Sequence, residues 1–350
     1  MLVQISTTPP RKGIARLAAA APLLKRKRRV EYFELPTRRY LTPCRSERVP
    51  FDWTVNPYRG CEFGCRYCYA RYTHEFMELR NPGDFERLIF AKAWSRQAFR
   101  EELRRVLPGE WVAIGTAADA YQPAERRFGI TRSVLEVLAS EKGRKFSLTT
   151  KSDLITRDID LFQQIRRNNV LHLAVSITTA DSRLARLVEP YAPAPERRFE
   201  AVRRLSQAGL PVAVLACPLL PHLTDGEAAL DRLAKLAAES GAAAFTGGAV
   251  FLKPCSRDVF FSFLDRHFPG LAARYRRQFA RRAFLPDSYT ERLAERLERV
   301  RRRHSLPKRA AEEAPPGWPG GFQLELPLEP DAEEKYSSRK SSCRKYAASL

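Results

Sequence analysis

Long apolar runs are missing from this 350-residue chain. None approaches the roughly 20 residues that cross a bilayer, so a membrane-spanning protein is not expected. The early run LAAAAPLLKRKRR, residues 17–29, places its charges after a short apolar stretch, the reverse of a secretory signal, and a cytoplasmic location is expected. Residues 1–30 hold no Asp or Glu, which leaves an organelle transit peptide formally open. No GxGxxG follows the first strand-like run, which weakens a dinucleotide-binding reading. Seven cysteines are an odd number in a chain of cytoplasmic character, so a disulfide framework is not expected. Acid is also short: 40 Asp and Glu face 61 Lys and Arg, a formal charge of +21 that makes a polyanion the first partner to consider, with nucleic acid the natural candidate. Helix faces merely dressed with solvated arginine would produce the same total.

With 44% hydrophobic residues, the chain can bury a full core. From about Phe51, strand-like runs (DWTVNP, WVAIGT, KFSLTT, VLHLAVSIT, PVAVLACPL and AAAFTGGAVFL) alternate with patterns of helical spacing such as ITRSVLEVLASEKG and PERRFEAVRRLSQAG. Strand then helix, about six times, predicts an α/β fold built as a partial (β/α)6 TIM-type barrel over residues 51–270. Residues 1–50 read as a basic N-terminal extension, 271–304 as a basic helical extension, and 305–350 as a mostly disordered tail.

One stretch carries the chemistry: VNPYRGCEFGCRYCYARYTHEF, with Cys61, Cys65 and Cys68 and no fourth cysteine in reach. A structural zinc site needs four ligands, and His74 or Cys44 can supply the fourth. A [4Fe–4S] cluster also normally takes four thiolates, so three leave one iron open to a substrate or cofactor.

The spacing CxxxCx(aromatic)C, with Tyr67 as the aromatic, resembles the signature of the radical S-adenosylmethionine (SAM) enzymes, and the wider run resembles their spore photoproduct lyase-like subgroup, often described as DNA repair photolyase-like. The likeness continues through GTAADAYQPAE, TTKSDLITRDIDLF, SITTADSRLARLVEPYAPAPERR and CPLLPHLTD, covering roughly Phe51 to Phe268. The resemblance implies a [4Fe–4S] cluster on Cys61, Cys65 and Cys68, with SAM on its open iron. It also implies reductive cleavage of SAM to a 5′-deoxyadenosyl radical, DNA as the favoured substrate, and a reducing partner such as flavodoxin or ferredoxin. Carried onto the predicted strand ends, SAM contacts fall to Gly115, Thr116 and Asp119, then Lys151, then Ser176, with Tyr67 packing on adenine. Two departures stand out. Ala118 sits where relatives often carry Ser or Thr, so a SAM contact there is either missing or supplied by Thr116. Spore photoproduct lyase also uses a cysteine near the second strand as hydrogen donor. Here none lies between Cys68 and Cys217, so Cys217 is the candidate catalytic thiol against the commoner role of a buried small hydrophobe. RNA or a protein is the alternative target of the radical, and a zinc-stabilised nucleic-acid-binding module is the non-enzymatic alternative.

Arg71, His74 and Glu75 can orient the cysteine loop. Glu189 with Arg197 and Arg198 reads as a rim salt bridge or a phosphate contact. Lys92 and the arginine-rich helices after Leu271 read as solvated faces whose sum suggests a polyanion surface. In the tail, FQLELPL resembles the peptide that docks bacterial repair proteins on the sliding clamp, through Gln323–Leu328, unless that segment folds back as an edge strand.

Overall fold

The alternation of apolar runs and amphipathic helices folds as a layered sheet in the computed structural model, which describes residues 11–27, 29–46, 48–311 and 314–315. Its strands are β1 (Leu23–Arg26), β2 (Glu31–Leu35), β3 (Leu41–Pro43), β4 (Trp53–Val55), β5 (Tyr58–Arg59), β6 (Leu88–Lys92), β7 (Trp111–Ile114), β8 (Lys145–Thr150), β9 (Val170–Ser176), β10 (Val212–Leu219) and β11 (Ala244–Ala249). The main sheet has the order β11-β10-β9-β8-β7-β4-β3. Its six strands from β4 to β11 are all parallel. Only β3 is antiparallel, on the outer edge of β4. Among the described residues β4 and β11 do not pair, so the barrel is incomplete, as the six-unit pattern predicts.

Period-two alternation sorts the side chains to two faces. In β9, Leu171, Leu173 and Val175 enter the core under the helices, and His172, Ala174 and Ser176 take the opposite, concave side. Cross-strand register then sets Thr149 beside Ala174, and Ala174 and Ala244 beside Ala213. Such small residues leave the concave side open, and Thr149 within it is exposed. The predicted helices appear as Ile130–Ala139, Ile159–Asn168, Pro195–Gln207 and Glu227–Glu239.

A second sheet, β1-β2-β6-β5, has no counterpart in the sequence reading. It sews the basic N-terminal segment onto β6 through a parallel β2–β6 pairing. Since β5 ends at Arg59 and β6 begins at Leu88, this sheet pins both ends of the cysteine-bearing segment.

Two surface expectations change. Lys92 is buried rather than solvated, and burial, with Arg59 beside it, brings its ammonium down to about 8 against the opposing pull of Glu102. The helix Asp287–Arg303 packs Leu293, Leu297 and Val300 into the main core. Its arginines are partly spoken for: Arg299 pairs with Glu227 (3.0 Å) and Arg303 with Asp231 (2.7 Å) on the neighbouring helix. Exposed pairs of this kind add at most about 1 kcal/mol each, but they remove cations from the count available to a polyanion. Leu306 is buried, and Pro307 accepts a hydrogen bond from the Phe245 amide of β11 (3.0 Å). The Gln323–Leu328 motif lies outside the described residues. Among the described residues, no helix is long and apolar enough to cross a membrane.

Candidate active site at the strand ends

The cysteine loop leaves β5 through Gly60, whose φ of +78° is natural only to glycine; a Cβ there would lie 2.7 Å from the Leu88 carbonyl oxygen. Backbone bonds then fix the loop, from the Cys61 amide to Phe85 (2.9 Å) and from the Arg66 amide to Val188 (2.9 Å). Gln122, fully buried, reads it from across the mouth: its amide nitrogen donates to the Gly60 carbonyl (2.9 Å) and its oxygen accepts from the Glu62 amide (3.0 Å). Arg71 donates to the Cys65 carbonyl (3.2 Å) and pairs with Glu86 (2.6 Å), the orienting role expected of it. Cys61 and Cys65 are each only 8% exposed, in an apolar cluster with Phe63, Tyr67, Val188, Leu220 and Phe260. The helices Pro254–His267 and Pro269–Phe279 supply the outer part of that cluster.

All three thiols are free. Burial pushes Cys65 up to about 12 and Cys61 well above its ordinary value, and raises Cys68 against the pull of Arg71; Cys65 and Cys68 add to the rise of Cys61. Buried thiols that resist ionisation on their own are poor nucleophiles, but they suit a cationic metal centre that takes up the thiolate charge. The donor set therefore fits an iron–sulfur cluster. A closed zinc site does not fit it. Among the described residues no three His, Cys, Asp or Glu converge as ligands of one ion. His74 has its Nε2 on the Leu88 carbonyl (3.0 Å) and its ring edge-on to Phe85 and Phe90, with burial lowering it to about 4. Cys44 is a half-buried thiol.

Facing this loop, the strand ends bring the other candidates together. Gly115, at φ +77°, follows β7, and a Cβ there would meet Ala120 at 2.9 Å. Thr116 accepts from Asn56 (3.3 Å), and its carbonyl accepts from the Tyr69 hydroxyl (2.5 Å). Ala118 turns into the core, which leaves Thr116 as the hydroxyl at this strand end. Asp119 accepts three bonds, from the Thr150 hydroxyl (2.6 Å) and the amides of Tyr121 (2.9 Å) and Lys151 (2.8 Å). Asp119 thus ties the end of β7 to the end of β8, and burial raises its carboxyl against those bonds. Lys151 donates from Nζ to Ser176 Oγ (3.1 Å), which donates in turn to the Cys217 carbonyl (2.8 Å). Cys217 sits where the β10–β11 register breaks; burial raises its thiol, and Lys151 opposes that.

Tyr67 is held more tightly than a ring merely lying on adenine. Its hydroxyl donates to Glu189 and meets the Thr178 hydroxyl at 3.2 Å. Glu189 pairs with Arg198 (2.6 Å), both side chains 1% exposed. Arg198 also donates to the carbonyls of Ser176 (3.1 Å) and Pro193 (2.8 Å). This corrects the phosphate reading of Arg198: its guanidinium is buried and fully engaged, and Arg197 pairs with Asp153 instead. Burial alone would raise Glu189, but Arg198 and then Lys151 hold it below its ordinary value. Burial likewise pulls against the Lys151 ammonium, which Glu189 and Cys65 keep above its ordinary value. Asn56 and Gln122 stand outside the candidates that the sequence supplies. Asn56 adjoins the motif, but Gln122 carries no local signal.

Residues 55–234 match the family model of the radical SAM superfamily. The chain belongs to that superfamily: it is a radical SAM enzyme, with a [4Fe–4S] cluster and SAM as its cofactors. An uncharacterized protein of Mycobacterium tuberculosis is 39% identical over 253 residues, 71% of this chain and 73% of the relative. Another, of Methanocaldococcus jannaschii, is 26% identical over 204 residues, 57% of this chain and 71% of the relative. Among solved structures, a mutant of spore photoproduct lyase superposes with a TM-score of 0.59 at 13% identity, covering 86% of this chain and 85% of that one. A second, solved with bound AdoMet and dinucleoside spore photoproduct, gives 0.57. At such identities the likeness is one of fold.

Proposed function

We propose that Cys61, Cys65 and Cys68 hold the cluster and that the strand-end residues hold SAM, for radical chemistry on nucleic acid, with damaged DNA as the favoured substrate. When bound, the cofactors supply a 5′-deoxyadenosyl radical that takes a hydrogen atom from the substrate. The protein's own work is positional. Asp119 locks two strand ends, Lys151 presents a charge beside Ser176, and Thr116 offers a hydroxyl. The single observation that carries the reading is the convergence of the cysteine loop with Lys151, Ser176 and Cys217 at one mouth over an open concave face. The DNA assignment is supported by the spore photoproduct lyase-like fold and the basic charge.

Anaerobically reconstituted protein with dithionite and SAM should release 5′-deoxyadenosine faster when ultraviolet-irradiated DNA is present, with deuterium exchanged between substrate and cofactor. Stimulation by RNA or a protein, with none by DNA, would move the target. Cys217→Ala should preserve SAM cleavage but divert the product, as loss of a hydrogen donor would; an unchanged product would return Cys217 to a packing role.

Lys151→Ala should weaken SAM binding at least about tenfold, the scale of one lost charged hydrogen bond, with iron content unchanged. Loss of iron together with SAM binding would make Lys151 structural instead.

A further inference from the structure

A groove of about 620 Å³ runs along the outer side of the cysteine loop. Its near wall includes Glu62 and Arg66, the residues that follow Cys61 and Cys65, so the groove borders the cysteine loop itself. Its far wall is the β1–β2 hairpin, with Arg26, Lys27 and Arg29. Its carboxylates are largely engaged: Glu31 with Arg26 (2.8 Å), Glu62 with Lys27 (3.7 Å), and Glu86 with Arg71 (2.6 Å). Among the described residues three cations keep no carboxylate within salt-bridge reach, although Arg87 lies in the field of Asp84. Arg29 donates only to the Tyr191 hydroxyl (3.2 Å), and the guanidinium groups of Arg66 and Arg87 make no hydrogen bond or ion pair among the described residues. Apolar surface lies alongside: Tyr191 is 51% exposed, and Leu23 and Leu24 on the same hairpin are 48% and 42% exposed.

We infer that this groove docks an acidic electron-carrier protein that reduces the cluster. The inference rests on the cluster assignment above but not on the nucleic-acid substrate. An electron must reach a centre two of whose thiols, Cys61 and Cys65, are buried, and the groove borders the loop residues that follow them in the chain. Free arginines steer an acidic partner, while half-exposed Tyr and Leu give it contact area, the composition of a small, transient redox interface. The carrier loses one electron and the cluster gains it, and no proton or group moves.

The test uses flavodoxin, an acidic flavin carrier, and the double variant Arg29→Glu/Arg87→Glu of the full chain. Fluorescently labelled oxidised flavodoxin should bind the wild type with an affinity that falls as salt rises, and bind the variant at least about tenfold more weakly. Flavodoxin-driven 5′-deoxyadenosine release should drop by a similar factor, with dithionite-driven release and iron content at wild-type levels. Unchanged flavodoxin affinity overturns the inference. So does loss of DNA binding with flavodoxin affinity intact, which would assign the groove to nucleic acid. Absence of dithionite-driven release in the wild type would instead mark failure of the cluster assignment.

Discussion

Alanine at any one of Cys61, Cys65 or Cys68 should abolish 5′-deoxyadenosine release from SAM under dithionite and strip most of the iron, read by colorimetric iron analysis and the visible absorption of the protein. The three thiols share one loop, clamped from both ends by β5 and β6 and from across the mouth by Gln122, so no neighbouring side chain is free to swing into a vacated corner. His74 is tied to the Leu88 carbonyl and wedged against two phenylalanines. Cys255 donates its thiol to the Tyr69 carbonyl at 3.6 Å. Cys44→Ala and Cys255→Ala should therefore keep full iron content. Persistent SAM cleavage in all three loop variants would overturn the ligand assignment, and loss of iron in Cys44→Ala would bring that thiol back as a fourth ligand.

Breaking the Glu189–Arg198 pair should produce the largest stability loss of any single polar substitution near the mouth. With both side chains 1% exposed, Glu189→Ala leaves a buried guanidinium without its counter-charge, at a cost of about 3–5 kcal/mol. It also strands the hydroxyls of Tyr67 and Thr178, both of which lean on the same carboxylate. Urea denaturation of the iron-free protein reads the change without reference to activity. The double substitution Glu189→Gln/Arg198→Met removes both charges and should recover most of the loss, because an uncharged pair no longer leaves an ion in the interior. A single variant within about 1 kcal/mol of wild type would mean that solvent reaches Arg198 and the pair is not a structural post.

The same pair shows how far the chain could be read without coordinates. Glu189 and Arg198 follow the fourth parallel strand near the mouth, but no local pattern reveals their burial, so the sequence supports only a rim salt bridge or a phosphate contact. Asp119 follows β7, where the resemblance implies a cofactor contact; its carboxylate accepts the Thr150 hydroxyl and the Lys151 amide, 31 and 32 positions away, which no local pattern announces. The groove along the cysteine loop depends on β2 pairing with β6, from Glu31 opposite Leu88 onward, and nothing in the composition of a basic N-terminal segment announces that partner.

By itself the sequence determined the order of the strands and, through the resemblance its cysteine motif carries, pointed to the chemistry class. Three cysteines at fixed spacing, and strand and helix periods repeated six times, are local patterns whose physical cause lies within a few residues: one loop must present its thiols together, and one face of each element must be apolar. Only the tertiary structure decided which polar side chains are buried struts, which arginines are already paired, and which remain free beside the cysteine loop. Those outcomes depend on the desolvation of groups far apart in sequence, as with Tyr67 and Glu189, 122 positions apart, and desolvation is a property of the packed interior rather than of any stretch of chain.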